Sequence, residues 1–216
     1  MEQQTILEKI GALGLVPVVA IDRAEDALKL GEALLQGGLP CVEITFRTAA
    51  AEAAIRQMVS HLPQMLVGAG TVLSVEQAER AVTAGACFIV TPGFDAAVVD
   101  WCIANQIPVT PGVLTPTEIN MALAKSLHIL KFFPAEAMGG VKVLKAIGAP
   151  YQMVKFIPTG GVTASNLAEY LSLPMVFACG GSWLVERKLI AEGRFAEITR
   201  LTQEAMQIVQ DIRGCG

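Results

Sequence analysis

The sequence predicts one α/β domain over residues 1–216: a (β/α)8 TIM barrel with an extra N-terminal helix. Three observations lead there. Short β-branched or apolar runs recur eight times, beginning at residues 16, 41, 65, 88, 108, 129, 155 and 176. Between them lie segments rich in Ala, Leu, Glu, Gln and Arg, with apolar residues at three- and four-residue spacing. The composition is 53% hydrophobic and only 17% charged, against roughly 25% charged in an ordinary soluble domain. That excess suits strands buried on both faces.

The predicted strands are 16–21, 41–46, 65–69, 88–91, 108–110, 129–133, 155–158 and 176–179. Helices are expected at 24–36, 49–61, 75–84 and 117–126, and glycines end several of them, as at Gly37-Gly38 and Gly85. Further helices are expected to cap the start (3–12) and finish the chain (195–212). Strand–helix alternation with short connections implies parallel strands and right-handed crossovers. Eight units fit a closed barrel better than an open doubly wound sheet, the runner-up fold. No linker, low-complexity tract or second domain interrupts the pattern.

The net charge of −4 comes with scattered Lys and Arg, so neither nucleic acid nor an anionic membrane is an expected partner. No apolar stretch approaches the ~20 residues a membrane span needs, and residues 1–11 show no secretory h-region. The five cysteines (Cys41, Cys87, Cys102, Cys179 and Cys215) are odd in number and form no CxxC pair. A reducing cytoplasm is the expected location.

In a barrel enzyme the site lies at the carboxyl ends of the strands. The second strand reads Val42-Glu43-Ile44-Thr45-Phe46-Arg47-Thr48. Alternation puts Glu43, Thr45 and Arg47 on one face, opposite Val42, Ile44 and Phe46. With the apolar face on the helices, Glu43 and Arg47 point into or over the barrel mouth. One reading is an ion pair that fills the interior. The other is function, because interior charges are costly unless they do something.

Strand six carries Lys131 inside His128-Ile129-Leu130-Lys131-Phe132-Phe133-Pro134. Lys is among the residues least often buried, and a closed barrel has no edge strand to excuse it. Burial disfavours the ammonium form, and a neutral amine in an apolar pocket is what attack on a ketone requires. The alternative is that Lys131 only pairs with Glu43. Glycine-rich loops are expected after strands seven and eight, Pro158-Thr159-Gly160-Gly161 and Gly180-Gly181-Ser182. Barrels often bind phosphate in these two loops. Gly70 and Thr71, ending the third strand, allow close approach and offer a hydroxyl. The Thr91-Pro92-Gly93 and Thr110-Pro111-Gly112 ends are as consistent with turn chemistry as with substrate contact. A metal site is not expected. The histidines are His61, in a helical segment, and His128, which alternates away from Lys131, and no HxH or HExxH spacing occurs. Neither GxSxG nor a Cys/His pairing points to acyl transfer.

With these residues in order, the chain resembles the 2-keto-3-deoxy-6-phosphogluconate (KDPG) aldolase / 4-hydroxy-2-oxoglutarate aldolase family. The similarity runs from about residue 16 to 183. It is carried by the strand-two motif, Gly68-Ala69-Gly70-Thr71-Val72, Lys131-Phe132-Phe133-Pro134-Ala135-Glu136, Pro158-Thr159-Gly160-Gly161 and Gly180-Gly181-Ser182-Trp183. The resemblance implies Lys131 as the Schiff-base lysine and Glu43 as the acid/base. It implies Arg47 and Thr71 on the pyruvate carboxylate, and Thr159, Gly160, Gly161, Gly180, Gly181 and Ser182 around a distal phosphate, with Pro92 and Phe133 lining the pocket. It further implies 2-oxo acid substrates, no cofactor beyond the covalent imine with Lys131, and a homotrimer. Galactonate-type aldolases of the same fold are the nearest alternative. A non-catalytic sugar-phosphate-binding barrel would not need both Lys131 and Glu43.

Overall fold

In the computed structural model the described residues are 3–214, the side chains of Gln3 and Gln4 excepted. The readings made on Met1, Glu2 and Cys215 lie outside them.

The described residues open with helix α1 (Gln3–Leu13) and then alternate. Strand β1 (Leu15–Val19) leads to α2 (Ala27–Gln36), β2 (Cys41–Thr45) to α3 (Ala51–His61), and β3 (Leu66–Gly70) to α4 (Val75–Thr83). Strand β4 (Ile89–Val90) leads to α5 (Ala96–Ala104), and the short β5 (Val109–Thr110) and β6 (Gly112–Val113) to α6 (Pro116–Leu123). Next come β7 (Ile129–Phe132), α7 (Gly140–Gly148), β8 (Lys155–Pro158), α8 (Ala164–Leu171) and β9 (Cys179–Gly181). Helices α9 (Arg187–Ala191) and α10 (Phe195–Arg213) finish the chain.

Hydrogen-bonding side chains start several helices. Asp95 accepts from the Val98 N–H at α5, and Thr115 and Glu118 form a capping box before Pro116 at α6.

Every pairing is parallel. One curled sheet runs β5-β4-β3-β2-β1-β9 and a second runs β6-β7-β8. Single bridges Phe156↔Val176 and Thr159↔Gly180 link the β8 and β9 sides. Leu130 and Phe132 face the helices, where Phe132 meets Phe156 edge to face with ring centroids 6.4 Å apart. Burying side chains of this size stabilises by roughly 1.5–3 kcal/mol each. Alternation turns Lys131 the other way, into the sheet's concave interior, whose small void Ile10 of α1 also lines.

Two strand expectations need correction. The fifth run does not end at Thr110. Pro111 has no N–H to donate, so the ladder breaks there and resumes at Gly112, which pairs with Lys131. The Pro111 carbonyl still accepts from the Lys131 N–H at 3.0 Å. The eighth strand lies at Cys179–Gly181 rather than 176–179, so Gly180 and Gly181 are ladder residues opposite Val16 and Pro17, and only Ser182 follows the strand. Glycine carries no strand preference, but close contacts demand it here. A Cβ at Gly180 would lie 2.2 Å from Thr159 Oγ1, and one at Gly181 would lie 1.9 Å from the Trp183 ring.

Candidate active site

Strands β2 and β7 bring two charges together inside the sheet. Lys131 Nζ lies 3.4 Å from Glu43 Oε1, and the two residues are only 4% and 3% exposed. The amine also sits 5.2 Å from the centroid of the Phe133 ring, within cation–π range. Gly70, on the neighbouring strand, leaves the room Glu43 occupies, since a Cβ there would fall 1.9 Å from Glu43 Oε1. The enclosed void bordered by Lys131, Glu43, Thr110 and Thr159 measures about 10 Å³, close to the space of one water. A buried pair joined by one long hydrogen bond gains little against its desolvation cost. Its chemical value is that a proton can pass between amine and carboxylate, or through one water, without a large rearrangement.

Above this pair opens a cavity of about 480 Å³. Arg47, Phe133, Thr159, Gly160, Gly161, Gly180 and Ser182 all line it. Thr159 borders both spaces, and Phe133, whose ring centroid is 5.2 Å from the amine, lines the open cavity. Arg47, expected to point into or over the barrel mouth, stands two residues past the end of β2 at Thr45 and is exposed at the cavity. Its Nε donates to Thr71 Oγ1 at 3.1 Å. Thr71 holds φ at 54°, a left-handed conformation that costs a β-branched residue energy and accumulates at functional sites.

After β8 the chain makes a turn with Gly160 at φ 96° and Gly161 at φ 83°, which glycine adopts readily. The N–H groups of Gly160, Gly161 and Val162 donate to no acceptor among the described residues. Three free donors at the edge of a cavity make a receptor for an anion. Pro92 is placed differently. It lines neither space, and its carbonyl packs over Gly112, where a Cβ would come within 2.1 Å.

Several residues of the site escaped the sequence reading. Thr45, read on the interior face but given no role, lines the cavity while its hydroxyl donates to the Val19 carbonyl at 2.7 Å. Arg187 and Lys188 complete the far rim, Arg187 being paired with Asp22. Glu136 receives a short hydrogen bond from the Tyr170 hydroxyl beneath the glycine turn. The pairing is between residues 34 apart in sequence, so no local pattern announces it. Among the described residues no three His, Cys, Asp or Glu side chains are grouped to hold a metal ion, and no helix is long and apolar enough to cross a membrane.

Comparison with known proteins matches residues 6–201 to the family model described as KDPG and KHG aldolase. The chain is 47% identical to the 2-dehydro-3-deoxy-phosphogluconate aldolase of Treponema pallidum, over 95% of this chain and 98% of that one. It is 40% identical to the KHG/KDPG aldolase of Escherichia coli, over 94% and 96%. Its fold superposes with a TM-score of 0.90 on a crystal structure of the Legionella pneumophila KDPG aldolase with pyruvate captured at low pH as a covalent carbinolamine intermediate. That match is 38% identical and covers 95% of this chain and 98% of that one.

Proposed function

The chain belongs to the KDPG and KHG aldolase family, and from that premise we propose how its residues divide the work. The protein is an aldehyde-lyase that cleaves 2-dehydro-3-deoxy-6-phosphogluconate to pyruvate and glyceraldehyde 3-phosphate through a Schiff base. The observation that carries the residue assignment is the buried Lys131–Glu43 pair, whose void shares Thr159 with an open cavity.

Lys131, with its proton passed to Glu43, attacks the C2 ketone. Glu43 then protonates the departing hydroxyl as carbinolamine becomes imine. The protonated imine withdraws electrons while Glu43 takes the C4 hydroxyl proton, and the C3–C4 bond breaks. The aldehyde leaves, C3 of the enamine is reprotonated, and water hydrolyses the imine to free pyruvate and Lys131. Arg47 and Thr71 hold the substrate carboxylate, the planar guanidinium fixing its orientation. Thr159, the free donors of the Gly160–Gly161 turn, Gly180 and Ser182 receive the distal phosphate. Gly181 contributes by letting Trp183 pack against the strand. Phe133 forms the wall between amine and cavity. The imine forms on Lys131 itself, so no metal or organic cofactor enters the scheme. With the phosphate replaced by a shorter acid, the same steps cleave 4-hydroxy-2-oxoglutarate to pyruvate and glyoxylate.

The fold completing this site is a full (β/α)8 barrel formed by one domain over residues 1–216. The β8–β9 bridges and the bend at Pro111, which makes β5 and β6 halves of one strand, support closure. A homotrimer in the cytoplasm is the proposed working form. Leu73, Ile103 and Met121, exposed on successive βα units, supply apolar surface for self-association. Pyruvate release from the phosphorylated substrate by the purified protein, with and without EDTA, tests the function. Equal release in both supports it, and loss of activity in EDTA contradicts it.

A further inference from the structure

Two glycines in left-handed conformations have no side chains with which to hold a shape, and glycine loses more freedom on ordering than any other residue. The Gly160–Gly161 turn is nevertheless tied at three successive carbonyls. The Thr159 carbonyl accepts from the Ala135 N–H at 2.9 Å, and that of Gly160 from the Glu136 N–H at 3.0 Å. The Gly161 carbonyl accepts from Asn166 Nδ2 at 3.1 Å. With every carbonyl held from behind, the N–H groups are left toward the cavity.

The ties converge on one face of α8. Asn166 and Tyr170 stand four residues apart and so share a face. Asn166 Oδ1 also accepts from the Thr163 N–H at 2.8 Å, which fixes its amide. Tyr170 is fully buried, yet its hydroxyl reaches the Glu136 carboxylate, and burial next to that carboxylate pushes the phenol's pKa up. The Glu136 side chain fills the space beside the turn, since a Cβ on Gly161 would lie 2.5 Å from Glu136 Cβ, and one on Gly140 would lie 2.8 Å from Glu136 Oε1. Glu136 is thus held through its carboxylate by one helix while its N–H holds the glycine turn.

We infer that Glu136 and Tyr170, with Asn166, are positioning residues that keep the Gly160–Gly161 turn in its anion-receiving form and so set the enzyme's preference for a substrate with a distal phosphate. The inference rests on the reading of that turn as the phosphate subsite. None of the three needs to touch the reacting carbons.

Steady-state kinetics on 2-keto-3-deoxy-6-phosphogluconate and on phosphate-free 4-hydroxy-2-oxoglutarate test it, with thermal melts to establish folding. Tyr170→Phe keeps the buried ring and removes only the hydroxyl. Glu136→Ala removes the other half at a solvent-exposed residue. Each is expected to raise KM for the phosphorylated substrate about ten-fold, the scale of one hydrogen bond to a charged group, with kcat and the phosphate-free reaction unchanged. Glu136→Gln, which retains an acceptor for Tyr170, is expected to restore wild-type KM, and the double variant to be no worse than either single one. Equal losses on both substrates in folded variants, or a Glu136→Gln protein as impaired as Glu136→Ala, overturn the inference. Ser182→Asp in the same assay separates it from its premise. If that variant is selective and Tyr170→Phe is not, only the positioning role fails. If neither is selective, the phosphate subsite fails and the positioning role with it.

Discussion

Lys131 and Glu43 lie 88 residues apart in sequence and meet as a buried pair, Nζ to Oε1, at 3.4 Å. The lysine does pair with the glutamate, and the small void beside the pair shares Thr159 with the open cavity. If Glu43 did no more than fill space beside Lys131, the isosteric Glu43→Gln would leave catalysis intact. As the acid/base it contributes about 10²–10⁴-fold. Glu43→Gln is therefore expected to fold, to form the pyruvate imine slowly and to lose kcat by that factor. A kcat equal to wild type would make Glu43 structural.

Gly70 tests the same pair from the neighbouring strand. In Gly70→Ala the new methyl falls 1.9 Å from where Glu43 Oε1 now sits, so the carboxylate must shift from its place beside Lys131. Misplacing a catalytic group by about 1 Å costs on the order of a hundred-fold. The variant is expected to lose that much kcat with its pyruvate binding retained. Full activity would show that the spacing of Glu43 and Lys131 does not matter.

Ser182 probes the other end of the cavity better than the glycines do. Gly161→Val would be strained at φ 83° and clash with Glu136, and Gly181→Val would clash with Trp183, whatever the ligand. Ser182 is exposed at the cavity, so Ser182→Asp adds charge without disturbing packing. Like-charge repulsion is expected to lower kcat/KM for the phosphorylated substrate on the order of a hundred-fold. The phosphate-free substrate should be spared, and a parallel loss for both would place the phosphate elsewhere.

The strands and the two charges of the site were legible because a period-two pattern assigns each residue a face, and Lys131 and Glu43 were charges on faces that had to be interior. Arg47, past the strand end at Thr45, still lines the cavity over the sheet, as its face of the pattern implied. Gly180 and Gly181 read as loop because their place in the ladder depends on Thr159 and Trp183, not on propensity. Pro111 hid the second half of its strand, whose pairing with Lys131 is set by the neighbour. Tyr170 drew no reading from the sequence, because its hydroxyl's partner, Glu136, is visible only in three dimensions.

The cysteines offer a check on the interior that is independent of catalysis. Burial pushes the thiols of Cys41, Cys87, Cys102 and Cys179 up, to about 11 for Cys87 and about 12 for Cys102 and Cys179. The thiolate is the reactive species, and with pKa values raised this far little of it exists at pH 8. In a Cys215→Ser background, iodoacetamide at pH 8 is expected to leave the native protein unlabelled over a time in which the urea-unfolded chain is fully alkylated. Labelling should accelerate only as pH rises toward 11. Rapid native labelling at Cys87 would mean that its strand end is open to solvent.

Lys131 is the residue expected to carry the covalent intermediate. Pyruvate and borohydride reduce any imine to a stable amine, and peptide mapping by mass spectrometry then locates it. Wild type is expected to gain one pyruvate-derived mass, on the peptide containing Lys131, and a folded Lys131→Ala protein to gain none. Modification at any other lysine, or none at all in an active wild-type preparation, would contradict the account.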